Sequence, residues 1–253
     1  MSLDLTPRAA AAPRRARLLS HARTEAALQL RNGEQLLLAL VIPLAALVAG
    51  LLWGTGLGLD PTTFPASILA LAVWSTSFTS LAITTAFERR YGVLERLAAT
   101  PLTRADLVAG KALATATITA GQAALLAAAA LALGWRPAPT ASGSLVAVAA
   151  ALLGSGAFAA LALSLAGRLE ATVTLGVANL VYLAGAAGGA LVLPVDAYPA
   201  AARPLLSLLP TAALGEALRA WASGTTDWGQ LGILAGWLAV ALLIARKAFR
   251  WLS

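Results

Sequence analysis

The sequence predicts an all-α membrane protein with six transmembrane helices, and three observations lead there. Of its 253 residues, 59% are hydrophobic and only 11% charged, against roughly 25% charged in soluble domains. The apolar residues gather into six runs, Leu36–Gly56, Phe64–Phe87, Leu107–Leu133, Leu145–Ala166, Thr172–Leu193 and Trp228–Ala245. Each reaches or approaches the ~20 residues that cross a hydrocarbon core of about 30 Å. The basic residues fall at alternate ends of those runs. Membrane β-barrels show short alternating segments instead, which these are not.

In chain order, residues 1–35 are a basic tail and residues 36–253 the six-span domain. Residues 1–13, with Pro7, Pro13 and a run of alanine, read as disordered. Arg14–Arg31 places Leu18, Leu19, Ala22, Ala26 and Leu30 on one side, with Arg15, Arg17, Arg23 and Glu25 elsewhere. Two readings stand for it: an amphipathic helix lying in the membrane interface, or a solvated tail that only enforces topology. His21, the only histidine, reads as a solvated side chain of that tail. The sixth run is the weakest, being short and opened by Gly229, Gln230 and Gly232. Arg246 extends it by snorkelling.

Charge orients the bundle. Arg8, Arg14, Arg15, Arg17, Arg23 and Arg31 precede the first run, and Arg89, Arg90, Arg96, Arg104 and Lys111 lie between or just inside the second and third. Arg168 separates the fourth and fifth, and Arg246, Lys247 and Arg250 follow the sixth. Fifteen of the 18 basic residues thus share one side, which the positive-inside rule makes cytoplasmic, with both termini. The net charge of +7 is then a product of topology. Nucleic acid is excluded as a partner, because the basic residues flank spans and form no single patch.

The same residues exclude most chemistry. Cysteine is absent, so there is neither a disulfide framework nor a thiolate metal site. A lone histidine in the tail leaves no triad for a membrane-embedded serine. Glu88 and Glu95, seven apart, sit among arginines that keep them ionised, and read as salt-bridging groups. Gly110-Lys111 is no phosphate loop: Ala105 stands where the first glycine is needed, and Ala112 where Ser or Thr is. Catalytic, cofactor-binding and metal-binding residues are therefore expected to be none. No ionisable residue falls between the span ends, which argues against an ion-coupled carrier. The polar span residues are neutral: Ser77, Ser80 and Thr84; Thr115, Thr119 and Gln122; Asn179 and Tyr182. They either bridge helices and satisfy carbonyls or line a mildly polar pathway.

Two segments carry a pattern. Between the second and third runs stand Glu88, Arg89, Gly92, Leu94, Glu95, Leu97, Thr100, Pro101, Leu102, Arg104, Gly110 and Lys111. In this register they resemble the cytoplasmic coupling segment of type-2 ABC transporter permeases, with Arg90 and Val93 as mild departures. The external loop 194–228 holds Pro194, Pro199, Pro204 and Pro210 and reads as two short helices broken by prolines. Leu209-Pro210-Thr211 and Glu216-Ala217-Leu218-Arg219 resemble the end of that family's external re-entrant hairpin. Leu209 replaces the common Asn, and one residue of the Pro-to-Thr spacing is missing. Within the segment, Glu216 and Arg219 form an i,i+3 pair.

The resemblance implies the permease subunit of an exporter: six spans, an N-terminal interfacial helix, a coupling helix within 88–106 and a re-entrant hairpin within 194–228. It implies two separate ABC ATPase subunits that bind ATP and Mg, a second identical or related permease, and an amphiphilic cargo such as a drug, lipid or lipid-linked glycan. Coupling would fall to Glu88, Gly92, Leu94, Glu95, Arg96, Leu97, Pro101 and Leu102, with Leu94 and Leu97 as apolar knobs. Abundant Ala and Arg beside two Lys suggest a bacterial plasma membrane. The rival readings are a membrane scaffold without transport and an intramembrane enzyme.

Overall fold

The computed structural model describes residues 12–31 and 33–248, and every regular element among them is helical. The expected disorder of the first residues lies, for 1–11, outside the described part. A first helix, α1 (Arg14–Arg31), precedes α2 (Gly33–Trp53). The second run becomes one long helix, α3 (Phe64–Trp74) continuing through a π-helical turn (Ser75–Ser80) into α4 (Leu81–Arg90). A short α5 (Val93–Ala98) leads to α6 (Arg104–Ala132), α7 (Ala141–Ala166) and α8 (Ala171–Leu183), which ends in a second π turn (Ala184–Gly188). Then come a one-turn α9 (Arg203–Leu206), α10 (Pro210–Ala222) and α11 (Gly229–Ala248).

Among the described residues, five helices are long and apolar enough to cross a membrane: Phe64–Arg90, Ala105–Ala132, Ala141–Ala166, Ala171–Gly188 and Gly229–Lys247. The first expected run falls on α2, whose described residues contribute an apolar stretch over Leu40–Gly56. The sixth run, weak in sequence, forms a full helix with Arg246 and Lys247 in its last turn.

The α3–α4 helix is the centre of the bundle. Every residue of α3 is buried, because alanines at 66, 70 and 72 let neighbouring helices close on it. Its Trp74 stacks on Phe78 at 4.5 Å and meets Phe158 of α7 edge-on at 4.6 Å. The lipid-facing surface falls to the others: Leu125 and Leu131 on α6, Leu145 and Leu152 on α7, Leu180 and Leu183 on α8, Leu243 on α11 are all exposed. Exposed leucine on that scale suits hydrocarbon, not water.

Candidate functional site at the α5 end of the bundle

The chain reverses between α4 and α6 by local rules. Gly92 takes the left-handed conformation (φ 68°) that starts α5, a position that favours glycine. Thr103 caps α6: its hydroxyl accepts from the Asp106 amide at 3.1 Å, and the Asp106 carboxylate accepts from the Thr103 amide at 3.3 Å. This reciprocal box satisfies two donors that a helix start leaves free. Pro101 lies in the turn between the two helices.

The exposed face of this reversal is Tyr91, Glu95, Arg96 and Pro101. Glu95 makes no ion pair among the described residues. Leu94 corrects the sequence reading: at 1% exposure it belongs to the bundle's own core, so a partner cannot reach it as a docking knob. Leu97 is half-buried against the same core, and Leu102 is half-buried. The resemblance had turned both leucines toward a partner, whereas the fold turns Leu94 fully, and Leu97 partly, into the bundle. Beside this face a recess of about 540 Å³ is lined by Arg89, Arg90, Gly92, Glu95 and Glu170.

Behind the reversal lies a buried ionic knot. Lys111 is fully buried, and its Nζ donates to Glu25 Oε2 at 2.9 Å and to Glu88 Oε2 at 2.6 Å. His21 Nε2 stands 3.7 Å from Glu25 Oε1. Gly110 makes room for this histidine, since a Cβ there would lie 2.4 Å from His21 Cδ2. Burial holds the His21 imidazole below its ordinary pKa; the Lys111 ammonium acts the same way and the Glu25 carboxylate opposes. A desolvated ammonium is tolerated only when paired, and two carboxylates pair this one. Three separate elements are thereby fastened together, α1 through Glu25, α4 through Glu88 and α6 through Lys111. Arg14 adds a 2.6 Å bridge to Asp106, and Arg17 donates to the Pro101 carbonyl at 2.5 Å.

The knot overturns three sequence readings and bears out a fourth. His21 is buried, not solvated. Glu25 belongs to the inward face of α1, while Leu19 and Leu30 are exposed. Glu88 does salt-bridge as its sequence suggested, with Lys111 as the partner. An ionisable group does lie inside a span, since Lys111 falls within Ala105–Ala132. A lysine in an apolar run needs a buried partner, and that was the available signal. The partner, Glu25, is 86 positions away.

At the opposite end, the α9–α10 hairpin is pinned by Arg219, 5% exposed. Its guanidinium donates to Ser67 Oγ (2.9 Å), the Leu191 carbonyl (2.8 Å), the Ala190 carbonyl (3.1 Å) and Glu216 Oε1 (2.9 Å). Glu216 also accepts from the Val195 amide at 2.9 Å. The expected pair is present, and Ser67 ties it to α3. Pro210 occupies the first turn of α10, where its missing N–H costs nothing. α10 is buried on nearly every side, packed against α3, α7 and α11.

The neutral polar residues divide. Thr76 donates to Gln122 Oε1 at 2.6 Å, and with Ser80, Thr117, Leu40 and Leu125 this pair lines a mostly apolar cleft of about 530 Å³. Ser77, Thr115 and Thr119 are buried nearby on the same two helices, with hydroxyls lacking a partner among the described residues. Thr84 is half-buried on α4. Asn179 is exposed on α8 and Tyr182 half-buried, its carbonyl accepting from the Trp74 indole; neither lines the cleft. The π turn falls at the cleft wall, and such turns recur at functional sites.

The family model described as ABC-2 family transporter protein matches residues 58–247, from the loop after α2 to the end of α11. No curated protein matches the chain.

Proposed function

Because the chain belongs to the ABC-2 transporter family over most of its length, we propose that it is the permease subunit of an ATP-binding-cassette exporter, driven by two separate ATPase subunits. The chain is a membrane subunit of a transporter, and it carries no Walker motif of its own. ATP and Mg would therefore be bound by the partner, and motion must enter through a surface. The observation that carries this reading is the exposed α5 face, backed by a buried knot that fastens α1, α4 and α6 into one unit. A push on α5 is then felt at the end of the long α3–α4 helix and at the start of α6.

In this reading Leu40–Gly56 is the first of six spans, and both termini are cytoplasmic in a bacterial plasma membrane. Two permeases, identical or related, form the path. The cargo is an uncharged or weakly charged amphiphile, because the Thr76–Gln122 cleft offers apolar walls with a few hydrogen-bonding groups and no charge. The α1 helix lies at the interface with Leu19, Leu28 and Leu30 toward lipid, and the α9–α10 hairpin re-enters from outside.

The direct test is co-purification. The tagged chain should retrieve a polypeptide with Walker A and ABC signature motifs, and the reconstituted pair should move a fluorescent amphiphile only with hydrolysable ATP. Recovery of the chain without any ATPase, from cells that express the neighbouring genes, would refute it. Topology is checked apart from transport, since the chain lacks cysteine. A cysteine at Ser142 should react with an impermeant maleimide from outside, and one at Ser253 only after the membrane is opened.

A further inference from the structure

A second cavity lies away from both polar regions, between the α5-end halves of α6, α7 and α11. The last two pack closely, with Ala160, Ala241 and Ala245 forming one buried cluster. α6 stands off from them and leaves a slot of about 520 Å³. Val108 and Ala112 of α6, Ala160 and Leu163 of α7, and Leu242 of α11 are among its walls. Among the described side chains its one charged lining residue is Arg246, which is exposed. No carboxylate pairs with Arg246 among the described residues. From Arg246 to Leu238, the deepest α11 residue of the lining, is about 12 Å along the helix at 1.5 Å per residue.

We propose that this slot holds one acyl chain of an anionic phospholipid, whose phosphate rests on Arg246. An apolar trench between spans that opens at membrane level is filled by whatever the bilayer supplies, which is acyl chain. An exposed arginine lining it, with no carboxylate partner among the described residues, selects a head group of negative charge, and basic pockets between helices on the cytoplasmic side take such lipids. The phospholipid is a resident ligand that packs α6 against α7 and α11, distinct from the cargo cleft at Thr76 and Gln122. The inference rests on reading these helices as spans with Arg246 at the cytoplasmic leaflet. It does not require export, because a chain that moves nothing would still hold the lipid.

The test is native mass spectrometry of the purified chain after delipidation, titrated with phosphatidylglycerol or phosphatidylcholine. Phosphatidylglycerol should bind one per chain in preference to phosphatidylcholine. Arg246→Gln should weaken it about fivefold, the ratio that one basic residue near an anionic surface supplies. Arg246 is exposed, so that variant folds. The pair Ala109→Leu and Ala112→Leu, which fills the slot from α6, should displace the lipid with Arg246 intact, whereas Lys247→Gln should leave binding unchanged. Equal binding of the two lipids, full retention in Arg246→Gln, or full retention in the filled slot would each overturn the proposal. So would a disulfide between two copies formed through cysteines at Ala109, since the slot would then be a protein contact.

Discussion

The two ends of the bundle each close around one buried cation, and they do it with opposite chemistry. At the α5 end, Lys111 presents a compact charge to two carboxylates, from α1 and α4, with His21 behind them. At the hairpin end, Arg219 spreads its charge over two carbonyls and a hydroxyl, with a single carboxylate. A planar guanidinium in a fork of fixed acceptors holds geometry. An ammonium shared between two acids on separate helices has no such fork, and its partners can exchange or separate. The hairpin end therefore reads as a rigid plug. The α5 end reads as a clamp whose three members are joined by charge.

Removing the clamp's cation should have the largest effect. Lys111→Met leaves the buried Glu25 and the half-buried Glu88 without that counter-charge, and breaking a buried pair from one side costs about 3–5 kcal/mol. The purified variant should melt far below the wild type. Adding Glu25→Gln and Glu88→Gln should recover much of the loss, because neutral amides no longer need the ammonium. If Lys111→Met melted with the wild type, the clamp would contribute nothing.

The plug should respond less, and asymmetrically. Arg219→Leu strands the Ser67 hydroxyl and the backbone carbonyls of Ala190 and Leu191, groups that cost roughly 1–3 kcal/mol each when buried unpaired. Glu216→Gln keeps an acceptor for both Arg219 and the Val195 amide and should cost less than about 1 kcal/mol. In a double-mutant cycle, Glu216→Ala on top of Arg219→Leu should add little. Equal, additive losses would contradict the shared network.

The smallest effect should be on pH, and it should be confined to one end. His21 is held neutral by burial, below its ordinary value near 6.5. A group whose folded pKa is depressed contributes stability that is present above its unfolded pKa and lost as pH falls. Hydrogen exchange in α1 should therefore rise as pH drops below about 6.5, after correction for the intrinsic rate, while α10 stays unchanged. His21→Gln should remove that rise in α1. A rise of equal size in α10 would show that the response is not local to the clamp.

The contrast between the ends also explains what the sequence disclosed. The plug was readable because its core is local: Pro210 marks the start of α10, and Glu216 and Arg219 stand one turn apart. The apolar runs announced the long helices, since each is a near-neighbour pattern. The clamp was not readable. Both readings of Arg14–Arg31 put Glu25 away from its apolar side, and nothing local distinguishes Glu88, which pairs inward, from Glu95, which stays exposed. Leu94 shows the same limit, for an amphipathic turn fixes which residues share a face but not whether that face meets the bundle or a partner. The slot at Arg246 depends on α6 standing away from α7, which no run of residues announces.

The central claim is that ATP-driven motion enters through the exposed α5 face, and charge reversal there tests it most directly. Glu95→Lys changes an exposed side chain with no ion pair among the described residues, so the protein should insert and melt as the wild type does. With its partner ATPase, substrate-stimulated hydrolysis and export should fall together, because complementary charge sets register at such a contact. If Glu95→Lys, combined with Tyr91→Ala, exported cargo at the wild-type rate with the ATPase still bound, α5 would not be the entry point and the account would fail.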